Sequence, residues 1–134
     1  MALKGEREML NGNTITSLLA HYRNDPQIIR FIVNILDSFE QYHAAVFAEQ
    51  TYRNLYGATV NDGEEYRSRV TELDRKRTVC HNTVIVNVNV LNRLAENAGF
   101  PPVYEGIVSK ERPYRRQVAD AVLAYVQDII LNRT

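Results

Sequence analysis

Helical spacing runs unbroken for about 36 residues, from Gly63 to Ala98, and changes character halfway. At ~100° per residue, Tyr66, Val70, Leu73, Cys80, Val84, Val88, Leu91, Ala95 and Ala98 fall on one stripe. From Val79 onward a second apolar row opens through Val86, Val90 and Leu94. The first half of this helix is therefore expected to be wetted on most sides, and the second half to be covered by several neighbours. An all-α architecture is expected from that asymmetry.

The segment Val84-Ile85-Val86-Asn87-Val88-Asn89-Val90 competes with that reading, because β-branched residues alternating at period two mark a half-buried strand. Helix prevails. The flanks Glu64 to Arg77 and Asn92 to Ala98 are mostly good helix formers, and no turn residue separates them from the run.

Three more helices are expected. Thr14 can cap a short one ending near Arg23, with Ile15, Leu18, Leu19 and Tyr22 at i, i+3, i+4 and i+7. Asp25 before Pro26 is the acceptor-then-proline order of a helix start, and helical spacing then runs to Tyr56, ahead of Gly57. Its inward stripe holds Ile28, Ile32, Ile35, Leu36, Phe39, Tyr42, His43, Val46 and Phe47. Asp62 with Glu65 resembles a capping box for the long third helix, and Gly99 stops it. The last helix runs from Arg112 or Pro113 to Leu131, with Val118, Val122, Tyr125 and Ile129 inward. Short loops make neighbours antiparallel. The expected fold is thus an antiparallel helical bundle with two long central helices forming a hairpin, plus a short N-terminal and a C-terminal helix. Residues 1–134 form one domain, with 1–12 a flexible or loosely attached N-terminus.

Composition narrows the function classes. Lys plus Arg equals Asp plus Glu at 16 each, so no global field favours nucleic acid or an anionic membrane. Cys80 is the single cysteine, which excludes an intrachain disulfide, and no stretch is apolar enough for a signal peptide or a transmembrane span. A cytoplasmic protein is expected.

Candidate chemistry is sparse. Glu40 and His43 form a Glu-x-x-His pair, the spacing used in di-iron bundles, but Thr78 stands where a second such motif ahead of His81 would need Glu. A looser divalent-metal site would combine His43, Glu40 and His81, with His21 as a further histidine. Glu40 lies about 24 Å and His81 about 27 Å from the turn, so their heights agree. The plainer reading of His43 is a core histidine held by a neighbour, and of Cys80 a core residue. Arg77 sits in the apolar stripe, so its head is expected to meet a carboxylate, Glu40 or Glu49. Asn87 is expected to pair across helices and fix their register.

Asn82, Asn89 and Arg93 line up beside the proline turn that carries Tyr104. They either anchor the returning loop or, together with Tyr104, form a partner-recognition patch. Arg112, Arg115 and Arg116 cluster with Tyr114 at the start of the last helix, where an anion contact would offset their charge.

The stretches His81-Asn82-Thr83-Val84-Ile85, Asn89-Val90-Leu91-Asn92-Arg93-Leu94 and Gly99-Phe100-Pro101-Pro102-Val103-Tyr104-Glu105-Gly106 resemble a family of small bacterial proteins catalogued only as a domain of unknown function. The resemblance covers about residues 75–125 and implies a bacterial, mostly helical protein with no activity to carry over. Two functions are compatible with all of this. One is a non-enzymatic protein interaction module, self-associating through the uncovered seam, with no cofactor. The other is a metal- or small-ligand-binding bundle centred on the inner Glu and His residues.

Overall fold

The computed structural model describes residues 9–60 and 63–130, the side chains of 58–60 excepted. Among these the chain is all-helical: α1 spans Gly12–His21, α2 Pro26–Val60, α3 Glu64–Ala98 and α4 Arg112–Tyr125, continued by a π-helical turn over Val126–Ile130. None of these helices is long and apolar enough to cross a membrane. The Val/Asn run of residues 84–90 is helical along its whole length.

Helix ends follow their local chemistry, with two departures from expectation. Asp25 Oδ1 accepts the Ile28 amide and its carbonyl accepts the Ile29 amide, so the Asp-Pro start of α2 is as expected. Gly99 ends α3 in the left-handed region at φ 80°, its amide and that of Phe100 closing on the Glu96 and Ala95 carbonyls. By contrast, α1 is capped by Asn11 rather than Thr14. Asn11 Oδ1 accepts the Thr14 amide at 3.1 Å, and Thr14 is itself buried. Gly57 does not stop α2 either. A Cβ there would lie 3.1 Å from the Tyr66 hydroxyl, so the glycine serves close packing within the helix instead of ending it. The expected partner of Glu65 in a capping box, Asp62, lies outside the described residues.

The two long helices contact each other through pairs whose numbers run in opposite senses: Ser38 with Asn87, Tyr42 with His81, Glu49 with Arg77, Tyr52 with Tyr66. Asn87 Nδ2 donates to Ser38 Oγ at 2.8 Å, the cross-helix bond expected of a polar residue among apolar ones. The core gathers Ile15, Leu18, Ile32, Phe39, Val84, Val88, Leu91, Val103, Val118 and Val122. It lies where α1, α4 and the 99–111 loop lie against α2 and α3. Beyond Leu73 and Glu49, toward the turn between the long helices, no described side chain is buried. There Tyr52, stacked on Tyr66 and tilted against Tyr56, replaces the aliphatic core.

The covered face differs from the expected one. Of the second apolar row, Val90 and Leu94 do pack against the core, but Val79 and Val86, which open it, are 61% and 56% exposed, whereas Ile85 is buried. The reason is where α4 arrives. Its first turns meet α3 on the face carrying His81, Asn82 and Ile85. Phe47, assigned to the inward stripe, is 63% exposed, and Cys80 is only half-buried against the core. At the end of α4 the π turn inserts an extra residue per turn. Ile129 consequently rotates out to 45% exposure while Val126 is buried and Ile130 packs on the core. Within the expected loose N-terminus, Leu10 is buried and the Asn11 amide donates to the Val103 carbonyl at 2.7 Å.

Candidate functional site

Polar groups converge where α4 begins against α3. On one side of α4, a cleft of about 130 Å³ is lined by Tyr42, Arg77, Thr78, His81, Arg116, Ala119 and Asp120. On the other, a cleft of about 270 Å³ is lined by Asn82, Ile85, Val86, Lys110 and Arg115. Two larger hollows, of about 550 and 510 Å³, lie along the outer half of α3, and their described walls come from α3 alone.

Behind the smaller cleft an ion-pair cluster joins α2 and α3. Glu49, 2% exposed, accepts Arg77 Nη1 at 2.7 Å and Arg53 Nη2 at 3.4 Å. Burial pushes the Glu49 carboxyl up, but the hydrogen bond and charge of Arg77, reinforced by Arg53, outweigh it and hold the group below the usual carboxylate range. Tyr42 lines the same cleft as Arg77. Burial raises the Tyr42 phenol above its ordinary value, with the guanidinium partly offsetting that rise. Of the two expected carboxylates, then, Arg77 takes Glu49.

His81 stacks on Tyr42 with ring centroids 5.5 Å apart, and its buried Nε2 has no hydrogen-bond partner. Burial draws its pKa below the ordinary imidazole value; the charges of Arg115 and Arg77 lower it further, while the nearby Arg115 backbone and Asp120 raise it. A histidine whose folded pKa lies below its unfolded one stabilises the fold fully above the unfolded value of ~6.5 and loses that contribution as pH falls toward the folded value. Thermal unfolding followed from pH 8 to pH 5 should therefore show a falling midpoint whose slope is shallower in His81→Gln. Equal slopes in the two proteins would remove the assignment to His81.

The residues singled out from the sequence separate in space. His43 Nε2 meets Gln127 Oε1 at 3.1 Å, on the π turn; His81 lies against Tyr42; Glu40 is exposed. Among the described residues no three His, Cys, Asp or Glu side chains are grouped to hold a metal ion. His21 is edge-on to Tyr22 and Phe100 and meets neither of the other histidines' ring partners. Of the partner patch, Asn82, Asn89 and Arg93 are exposed, whereas Tyr104 is 1% exposed and belongs to the core. The amide that anchors the returning loop is Asn92. Its Oδ1 accepts the Tyr104 amide at 2.9 Å and its Nδ2 donates to the Tyr104 carbonyl at 3.1 Å. The signal for it was present, since Asn92 and Tyr104 each sit in a stretch that carries the resemblance. Arg112 stands exposed at the first turn of α4, while Arg115 and Arg116 divide between the two clefts.

These features define an all-helical protein whose polar groups collect at one helical junction. The chain belongs to the family described as Protein of unknown function (DUF3232), whose model matches residues 3–133. Membership thus extends through α1 and α2, beyond the 75–125 segment in which the resemblance is legible. No curated protein and no solved structure matches the chain.

Proposed function

We propose that the protein is a non-enzymatic interaction module that pairs with a second copy of itself through the outer half of α3, the two long helices forming an antiparallel hairpin that projects from the bundle. The observation that supports this is the hollow of about 510 Å³ over Leu73, Val79 and Cys80, whose described walls all come from α3. An apolar floor with a wall on one side only is what a second helix completes. Its rim carries Arg69, Glu72, Arg75 and Lys76. Two copies of this segment packed antiparallel set Glu72 of each against basic residues of the other, so the surface is self-complementary in the manner of a two-fold interface. The single cysteine fits a cytoplasmic setting, which belongs to the same reading.

Solution mass measured by sedimentation across micromolar to hundreds of micromolar should rise from one chain toward two. Val79→Glu places a charge on the floor at a position already 61% exposed, so helicity and midpoint should stay within ~0.5 kcal/mol of the parent while association is lost. A mass of one chain at every concentration overturns the proposal, as does a Val79→Glu protein that still pairs.

A further inference from the structure

We infer that the cleft between Lys110 and Arg115 binds a small organic oxyanion, a carboxylate or phosphate monoester carried on a short apolar stem. Its lining divides by chemistry: Ile85 and Val86 supply an apolar floor, Lys110 and Arg115 two cations, and Asn82 an amide. No acid lines it. Arg115 is half-buried, its Nε is shut off from solvent without a hydrogen-bond partner, and neither cation forms an ion pair among the described residues. A half-buried guanidinium without a carboxylate partner is matched best by an oxyanion, which can take two N–H groups at once. The floor adds what a bare ion cannot use. A volume of about 270 Å³ lies at the small end of ligand cavities, which limits the stem to a few carbons. The cleft across α4 lacks this character, because Arg77 is already matched by Glu49 and Asp120 stands in its wall.

The test uses the full chain, labelled with ¹⁵N, and follows the amides of Asn82, Ile85 and Val86 during titration with hexanoate, hexyl phosphate, acetate, inorganic phosphate and hexanol at constant ionic strength. Hexanoate or hexyl phosphate should bind at least about tenfold more tightly than acetate, inorganic phosphate and hexanol, and the tighter of the two assigns the headgroup. Arg115→Gln should abolish that preference. Lys110→Gln, at an exposed position, should weaken binding several-fold with the fold intact, which keeps the test decisive if Arg115→Gln does not fold. Acetate binding as tightly as hexanoate removes the apolar stem, hexanol binding as tightly removes the anion, and absence of any shift at tens of millimolar removes the site. None of these outcomes depends on whether two copies pair.

Discussion

Arg77→Met should cost about 3 kcal/mol at neutral pH, enough to lower the thermal midpoint by roughly 10 °C. Methionine retains most of the apolar stem but none of the donors that face Glu49. Glu49 is 2% exposed, and its closest charge partner is the Arg77 Nη1 at 2.7 Å. Once that partner is gone, burial governs the carboxyl, and ionising it inside the fold becomes costly. Arg53, longer at 3.4 Å and about half-exposed, moderates the loss, which places it at the low end of what breaking a buried pair costs. The pH dependence separates this mechanism from lost packing. In the parent, Glu49 is held below the usual carboxylate range, so its contribution is complete above that range and disappears as pH falls through the lowered value. In Arg77→Met the carboxyl moves up, and protonating it relieves the buried charge. The gap between parent and variant measured by urea unfolding should accordingly shrink between pH 7 and pH 4. A gap under 0.5 kcal/mol at pH 7, or one that widens in acid, contradicts the assignment. Pairing Arg77→Met with Glu49→Leu should recover most of the loss, since a buried ion pair is replaceable by apolar groups but not by half of itself.

Asn92→Ala should be nearly as damaging, at about 2–4 kcal/mol, because one side chain satisfies both backbone polar groups of Tyr104. Val103 and Tyr104 are fully buried, so water cannot replace the lost partners at no cost. Asn89→Ala, one helical turn away and exposed, should remain within ~0.5 kcal/mol of the parent. Chemical denaturation of both variants, with the exchange rate of the Tyr104 amide, provides the comparison. Equal costs for the two would mean that the loop is not held through Asn92.

Sequence alone reveals what local pattern and charge pairing determine. The helix start at Asp25-Pro26, the stop at Gly99, the helical state of the Val/Asn run and the inward-pointing Arg77 each depend on residues near in sequence or on the cost of burying a charge. Other features depend on what arrives from elsewhere in the chain. Val79 and Ile85 are equally plausible as covered positions until α4 selects the face that carries Ile85. Gly57 reads as a terminator because its reason, the Tyr66 ring beside it, belongs to another helix. The π turn has no signature in Val126 to Ile130, and it is Ile129 alone that leaves the inward face there, while Ile130 stays against the core. Glu40 and His81 agree in height along the long helices, yet height does not fix direction around an axis: Glu40 is exposed, His43 meets Gln127 on the π turn, and His81 stacks on Tyr42. Legibility of the cleft was partial: Arg115 stood out as a cation in need of an anion, but Lys110 and the floor of Ile85 and Val86 became part of it only through the path of the loop.

That loop has a consequence for the order of assembly. The Val103 carbonyl takes the Asn11 amide, and across the next peptide Tyr104 grips Asn92. The latter pair is twelve positions apart and can close early, whereas the former joins partners 92 positions apart (103 − 11) and closes only once the long helices have brought them together. The capping residue of α1 is therefore held by a contact that only a nearly complete bundle can supply, and the docking of α1 depends on the long helices being in place.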